Sequence, residues 1–196
     1  MNKTKKYDAS SIEVLEGLEP VRRRPGMYIG GTDNSSMHHL FSEVIDNAMD
    51  EAVANFASFI EVRVEKDNII TVYDNGRGIP IDPHPNFPNK SALEVIMTTL
   101  HAGGKFSNKV YQTSGGLHGV GISVVNALSE FVDVEIYRDK KIYNQKFSKG
   151  YPTSKLKELK KKTNRKGTKV SFKPDPEIFG MDNYFNCKKL YNSRLR

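Results

Sequence analysis

The sequence predicts one domain that contains both helices and strands, and three patterns lead to that prediction. Residues 35–56 have apolar side chains at the 3.6-residue spacing of a long two-faced helix. Residues 59–73 and residues 131–147 each hold two runs of alternating apolar residues around a short polar turn, which is typical of a β-hairpin. Because 196 residues suit one domain with a substantial core, these elements are expected to share that core.

Shorter elements are predicted from caps and chain breakers. Tyr7–Leu18 is expected to form a serine-capped helix, and the Arg-Pro-Gly step at 24–26 is expected to end helical structure, because proline keeps the preceding residue out of the α region. Ser91 and Glu94 form a capping-box pattern for a helix that extends to Leu100. The other predicted elements are a proline-spaced loop at 82–90, a strand at 167–172 and a C-terminal helix at 182–196.

The amino-acid composition limits the cellular compartment and the binding partners that we expect for this protein. The chain has no run of about eighteen apolar residues, and its Lys-rich N-terminus lacks an apolar segment, which argues against a membrane span or a secretion signal. Cys187 is the single cysteine and forms no disulfide within the chain, so we expect a cytoplasmic protein. The net charge is +7, and residues 155–169 hold eight basic side chains against one acidic side chain, Glu158. Such a run, like the three arginines at 22–24, indicates either contact with nucleic acid phosphates or ordinary solvated charge.

The long helix has an acidic side that points to chemistry. Four acidic residues and Asn47 lie opposite the apolar stripe, and the helix contains neither Lys nor Arg. Glu43 and Asn47 are one turn apart, so a carboxylate able to act as a general base would stand beside an amide oxygen able to bind Mg²⁺. The alternative is an acidic face that merely meets solvent.

Two turns contain further residues that are candidates for binding a ligand. Asp74 follows a strand and precedes Asn-Gly-Arg-Gly, so its carboxylate can accept a hydrogen bond from an amino group such as that of adenine, or alternatively cap the strand in an Asx turn. Residues 115–121 contain four glycines and lead into a helix, which indicates phosphate binding by backbone N–H groups, or alternatively a structural turn. The polar segment 101–114 has the composition of a mobile lid, from which Lys105 can approach phosphates.

Four motifs, in this order, resemble the nucleotide-binding motifs of the ATPase superfamily of gyrase, heat-shock chaperones, histidine kinases and mismatch-repair proteins. They are Glu43-Val-Ile-Asp-Asn47, Asp74-Asn-Gly-Arg-Gly78, Gly115-Gly-Leu-His-Gly-Val-Gly121 and Gly167-Thr168. Three longer stretches look like the ATPase domain of bacterial type II topoisomerase B subunits: 18–30, 100–106 and 114–128. The segments 82–90 and 106–109 are more similar to topoisomerase IV than to gyrase.

The resemblance implies a fold, cofactors and residue roles. The fold would be a two-layer α/β sandwich of the Bergerat type, a mixed sheet with helices on one face, with ATP and Mg²⁺ between helices and lid. Glu43 would be the general base that activates water, Asn47 would hold Mg²⁺, and Asp74 would receive the adenine amino group. The residues assigned to ATP binding are Tyr7, Asn47, Asp74, Arg77, Gly78, Pro80, Lys105, Tyr111, Gly116, Leu117, His118, Gly119, Val120, Gly121, Ile122, Arg138 and Thr168.

The resemblance also implies a larger assembly. Residues 1–20 would be an arm whose Tyr7 reaches the nucleotide of a partner subunit in an ATP-dependent homodimer, and residues 21–196 would be the ATPase domain. The chain would be a fragment that lacks the following domain, with its phosphate-binding lysine, and the DNA-gate domains. The implied partners are DNA, the topoisomerase A-type subunit and aminocoumarin-like inhibitors. The implied activity is ATP-driven strand passage, by topoisomerase IV or alternatively by gyrase. The remaining alternatives are a different ATPase of the superfamily and a nucleotide-binding module that does not hydrolyse ATP. Glu51 and Arg77 are expected to pair.

Overall fold

The computed structural model describes residues 13–102 and 121–194. The helices in these ranges are α1 (Glu19–Arg23), α2 (Gly26–Ile29), α3 (Asn34–Val53), α4 (Ala92–Thr98), α5 (Gly121–Ala127), α6 (Pro176–Phe179) and α7 (Cys187–Arg194). The strands are β1 (Ile60–Val64), β2 (Ile70–Asp74), β3 (Pro83–His84), β4 (Phe87–Ser91), β5 (Ser129–Arg138), β6 (Lys141–Ser148), β7 (Tyr151–Pro152), β8 (Lys157–Leu159) and β9 (Gly167–Pro174). No helix in these two ranges is both long and apolar enough to cross a membrane.

One sheet organises the molecule. Its strands follow the order β1-β2-β9-β5-β6-β7, with β8 also paired to β6, and the described pairs are antiparallel. Alternate residues such as Ile70, Val170 and Val134 are buried in the main core with α3 and α5, whereas Tyr73 and Tyr137 belong to a smaller cluster with Ile142. Helices therefore cover one face of the sheet, and the two-layer fold class is confirmed.

Helix α3 supplies most of the helical layer. The Asp33 carboxylate accepts a hydrogen bond from the Ser36 N–H at 2.8 Å and caps its first turn. The predicted apolar stripe is buried from Phe41 to Ala48. The helix ends at Val53, three residues before the predicted end, and Asn55 adopts a φ of +60° just beyond. Phe56 is consequently outside the helix and 47% exposed.

The N-terminal prediction is wrong in its described part. Residues 13–18 form no helix; instead α1 and α2 follow, on either side of Arg24. Pro25 occupies the N-cap position of α2 with a φ of −57°, which is already helical. The predicted end of helical structure is confirmed at Arg24, whose φ of −135° and ψ of 61° lie outside the α region. Pro25 also begins the next helix, because its missing N–H has no partner to lose in a first turn.

Two segments predicted as loops contain short strands. Residues 83–91 form the hairpin β3–β4, and the Lys-rich segment contains β8. These pairs are only two to five residues long on the described strands, so they give little alternation for a sequence pattern to reveal. The Ser91 cap is confirmed, since its hydroxyl accepts the Glu94 N–H at 3.1 Å, but α4 ends at Thr98 and not at Leu100.

The three consecutive arginines have different environments. Arg22 donates to the carbonyl oxygen of Ala127 at 2.7 Å and to the Asp175 carboxylate at 2.8 Å. Arg23 pairs with two exposed glutamates, and Arg24 is exposed. Asp175 is 1% exposed, so the pair with Arg22 is largely shielded from water. Arg22 therefore connects α1 to Ala127 and to Asp175 within the fold.

The segment that precedes α7 is fastened to the start of α3. The Asn186 N–H donates to His38 Nε2 at 3.0 Å, while His38 Nδ1 lies 2.6 Å from the carbonyl oxygen of Asn34. Phe185 packs edge-on against the same imidazole, and its N–H donates to the Asn68 side chain at 2.9 Å. Helix α7 begins only at Cys187, five residues later than predicted, because the backbone of 183–186 is engaged in these contacts.

Candidate nucleotide site

The strand register brings distant candidate residues to one edge of the sheet. Asp74 at the end of β2 is paired with Thr168 near the start of β9, and Thr168 is paired with Ile136 on β5. Arg138 lies two residues beyond Ile136 and ends that strand. Three predicted site residues thus lie at the same ends of three adjacent strands.

The Asp74 carboxylate is buried at this edge. The residue is 6% exposed, and its Oδ1 accepts the Gly76 N–H at 2.8 Å. Burial raises the pKa of Asp74 to about 6, and the neighbouring Glu51 carboxylate adds to the rise, although backbone hydrogen bonds from Gly76 and Thr168 oppose it. Asp74 therefore forms the predicted Asx turn. The turn uses one carboxylate oxygen, and the carboxylate can accept hydrogen bonds from further donors.

Backbone segments approach one another closely around Asp74. A Cβ on Gly167, where φ is +103°, would overlap the Asp74 carbonyl oxygen. A Cβ on Gly78, where φ is +78°, would lie 3.1 Å from Ile136 Cγ2 and 3.2 Å from the Gly167 carbonyl oxygen. Glycine is required at both positions by conformation and by space. Ile136 was not a sequence candidate, since nothing in an alternating strand distinguishes it from other core residues.

Arg77 joins the Asp74 turn to α3, as expected. Its guanidinium donates to both oxygens of Glu51, at 2.6 and 3.1 Å, and its own N–H donates to the same carboxylate at 3.0 Å. The guanidinium carbon also lies 3.7 Å from the centre of the Phe56 ring. Phe56 was assigned to the apolar stripe of a helix predicted to reach residue 56, so this contact was missed, and the sequence held no signal that the helix ends at Val53.

Thr168 fastens the other side of the turn. Its hydroxyl oxygen accepts the Ile79 N–H at 3.2 Å, and the residue is 8% exposed. Pro80 follows and is exposed. The candidates from Asp74 to Pro80 are therefore held between the strand β9 and helix α3.

The acidic side of α3 does not simply meet solvent. Glu43, Asp46, Asn47 and Glu51 are half-buried, Asp50 is 4% exposed, and each of the five has a polar or electrostatic contact. A Cβ built on Gly121 would run into the Glu43 carboxylate, with the carboxyl carbon 2.9 Å away. Glu43 thus touches the first residue of α5, where the glycine-rich motif ends.

The oxygen atoms of Glu43 and Asn47 suit Mg²⁺ better than they suit a metal ion held entirely by protein side chains. Glu43 and Asn47 offer hard oxygen atoms from one helix face. Residues 13–102 and 121–194 contain no group of three or more His, Cys, Asp or Glu side chains that could hold a metal. Mg²⁺ commonly takes one or two protein oxygens and completes its shell with phosphate oxygens and water.

Part of the predicted site lies outside the described residues. These predictions concern Tyr7, Lys105, Tyr111, Gly116, Leu117, His118, Gly119 and Val120. The assignments of these residues stay predictions. Gly121 and Ile122 are described, as the first two residues of α5.

Comparison with known families gives one match across most of the chain. Residues 32–178 match the family described as Histidine kinase-, DNA gyrase B-, and HSP90-like ATPase. The matched range contains α3, the Asp74 turn, α5 and β9, which are the elements that form the site.

Curated relatives extend this similarity. The chain is 63% identical over 185 residues to the B subunit of DNA topoisomerase 4 from Bartonella bacilliformis, covering 94% of this chain and 27% of that protein. It is 56% identical over 174 residues to the B subunit of DNA gyrase from Thermotoga maritima, covering 89% of this chain. The chain therefore spans about a quarter of the length of these relatives, 27% for the first.

A solved structure shares the fold. The 43K ATPase domain of Thermus thermophilus gyrase B, crystallised in complex with an aminocoumarin, superposes with a TM-score of 0.75 at 47% identity. The match covers 87% of this chain and 42% of that one.

Proposed function

This chain belongs to the Histidine kinase-, DNA gyrase B-, and HSP90-like ATPase family, and on that premise we propose that it binds ATP beside Asp74 and hydrolyses it with Glu43 as the general base. The observation that carries the proposal is the contact between the Glu43 carboxylate and Gly121. This contact places a carboxylate at the end of the glycine-rich motif, where phosphate groups would be held. Asp74 lies at the other end of the same site, on the sheet.

Asp74 supports binding of the adenine ring. One of its oxygens accepts the Gly76 N–H, and a carboxylate can accept several hydrogen bonds, so acceptor capacity is left for an exocyclic amino group. The Thr168 hydroxyl keeps the adjacent backbone of Ile79 in place. Gly78 and Gly167 let the backbone segments around Asp74 approach one another closely, because a Cβ at either position would press on protein atoms.

Glu43 and Asn47 support the hydrolytic end of the site. We propose that Glu43 takes the proton of the attacking water and that Asn47 offers its amide oxygen to Mg²⁺. Mg²⁺ bound with ATP would supply neutralising charge for phosphoryl transfer. Arg77 keeps Glu51, one turn beyond Asn47, attached to the Asp74 turn, so the two ends of the site are joined through α3.

For the whole protein we propose the B subunit of a type II DNA topoisomerase. The identities of 63% to a topoisomerase 4 B subunit and 56% to a gyrase B subunit favour topoisomerase IV, with gyrase as the second candidate. The proposal includes a cytoplasmic protein that acts on DNA with an A-type subunit, dimerises with ATP through the arm 1–20, and uses residues 21–196 as its ATPase domain. Its adenine site is proposed to take aminocoumarin-like inhibitors, in keeping with the complex of the Thermus protein.

The change Glu43→Gln tests the base. Glutamine keeps the shape and hydrogen bonding of the side chain but accepts no proton, so ATP binding should persist while turnover falls by about 10²–10⁴-fold. Binding is measured by calorimetry with Mg·ATP, and turnover by phosphate release from the complete subunit. Glu130→Gln, at the far end of β5 and paired with Lys173, is the matched control and should retain turnover.

Two outcomes would contradict the assignment. Turnover of the Glu43→Gln protein within about threefold of the wild type would remove Glu43 from the role of base. Loss of ATP binding in that variant would mean that the carboxylate holds the nucleotide or the fold instead.

A further inference from the structure

The Lys-rich segment between β7 and β9 presents unpaired positive charge. Its lysines are exposed, and none lies within 4.0 Å of a carboxylate in the described part of the chain. We call these six residues the lysine platform: Lys155, Lys157, Lys160, Lys161, Lys162 and Lys166. In contrast, the lysines along the sheet at 141, 146, 149, 169 and 173 each pair with an aspartate or glutamate.

The platform is held by the sheet. β8 runs antiparallel to β6, with Leu159 opposite Ile142, and the Thr163 N–H donates to the Lys140 carbonyl oxygen at 3.1 Å. The Tyr73 hydroxyl donates to the Lys166 carbonyl oxygen at 2.8 Å. These contacts pin the segment at its beginning, middle and end.

Clustered lysines without counter-charges repel one another, and a polyanion relieves that repulsion. Ammonium groups contact phosphates as point charges, which fits a ligand recognised by its backbone. A membrane surface is a poorer match, because the two leucines of the segment, Leu156 and Leu159, pack against the protein and leave no apolar side chain to insert.

We propose that the lysine platform binds the phosphate backbone of duplex DNA, independently of sequence. This inference rests on the proposed function only for the choice of DNA among polyanions. It assigns a DNA contact to this domain itself, on the sheet face and edge away from α3, and separate from the residues that would hold ATP.

The test compares two triple substitutions that lower the net charge equally. The platform variant is K160Q/K161Q/K162Q, and the control is K66Q/K188Q/K189Q, which neutralises three other exposed lysines. The probe is a fluorescent duplex of about 20 base pairs, titrated with the 196-residue chain at salt concentrations from about 50 to about 200 mM. Calorimetry with ADP and circular dichroism are run on both variants.

We expect the platform variant to lose at least about tenfold in affinity for the duplex and to have a salt dependence shallower by about 2–3 in d log K/d log[salt], because each phosphate contact contributes roughly 0.9. The control should remain within about twofold of the wild type at each salt concentration. Both variants should bind ADP like the wild type.

Three outcomes would overturn the inference. They are the absence of duplex binding by the wild type, an equal loss in both variants, or a platform variant that loses binding to anionic phospholipid vesicles while keeping its affinity for DNA. Intact ADP binding in any of these cases would leave the proposed ATPase function standing, whereas loss of ADP binding by the wild-type chain would refute that function.

Discussion

At the scale of single residues, Asp74 combines an unfavourable environment with a proposed ligand contact. Its carboxylate is buried at the end of β2, close to the Glu51 carboxylate, and the pKa is raised to about 6. At neutral pH the group is ionised in a place that disfavours the charge. A ligand N–H that donates to it would relieve part of that cost, so a bound nucleotide should lower the pKa of Asp74.

We predict that Asp74 makes nucleotide affinity depend on pH. The donor of adenine favours the ionised carboxylate, so ADP affinity should be full above about pH 6 and should fall as the pH drops through that value. Asp74→Asn should weaken ADP binding by roughly 1–3 kcal/mol and flatten this dependence, since the amide has no charge to lose and can present its own NH₂. Calorimetry with ADP between about pH 5 and pH 8 measures both effects.

The pH dependence of the free energy of unfolding, measured without nucleotide, is the control for the binding experiment. Because the folded pKa lies above the ordinary value of 3.8, the wild type should lose stability as the pH rises from about 4 to about 6, by about 2–3 kcal/mol in total. Asp74→Asn should lack that loss in urea unfolding. An Asn variant that binds ADP normally would mean that Asp74 only caps its strand.

At the scale of elements, Arg22 connects three pieces of the fold. It reaches from α1 to the C-terminal carbonyl of α5 and to Asp175, whose Oδ1 caps α6 by accepting the Glu177 N–H at 3.1 Å. The N–H of Asp175 in turn donates to the Leu128 carbonyl oxygen at 2.9 Å. The end of α5 is therefore fixed from both sides, while its first residue contacts Glu43.

We predict that Arg22→Ala destabilises the domain by about 2–4 kcal/mol, because it leaves the buried Asp175 carboxylate with the Glu177 N–H and, as its remaining cation, Lys149 at the longer distance of 3.6 Å. Arg24→Ala, two residues away on an exposed side chain, should change stability by no more than about 0.5 kcal/mol. Urea unfolding at neutral pH compares the two. Equal effects of the two substitutions would show that the Arg22 pair contributes nothing specific.

At the scale of the whole molecule, the sequence predicted what periodicity and spacing encode. The long helix, both hairpins of the sheet and the Ser91 cap were predicted because each repeats a pattern over several residues or uses a strong cap. It could not predict that Arg22 would bind the buried Asp175 carboxylate or that Phe56 would contact Arg77, since both contacts depend on partners over twenty residues away in sequence or on where a helix ends. The site motifs could be identified in the sequence, but their proximity in the fold could not, because it depends on the register of β2, β9 and β5.

We predict that the 196-residue chain alone binds ATP yet hydrolyses it poorly and stays mostly monomeric. The proposed binding residues lie within it, whereas the lysine that the family resemblance assigns to the next domain does not. Loss of one cation at the terminal phosphate should lower turnover by several powers of ten, about 10²–10⁴. Phosphate release and sedimentation with a non-hydrolysable analogue are the measurements. Turnover equal to that of the full-length protein, or ATP-independent dimers, would contradict this account.

The contacts of His38 commit its ring to a single tautomer. The Asn34 carbonyl oxygen can only accept, so Nδ1 carries the hydrogen, and the Asn186 N–H can only donate, so Nε2 must offer its lone pair. The Asn34 side-chain amide also donates to the Tyr184 carbonyl oxygen at 2.9 Å, so the segment before α7 is attached to the same turn of α3 at a second point. Since Glu43 lies five residues beyond His38 in the same helix, a displacement of residues 183–186 would act through both contacts on the helix of the proposed base.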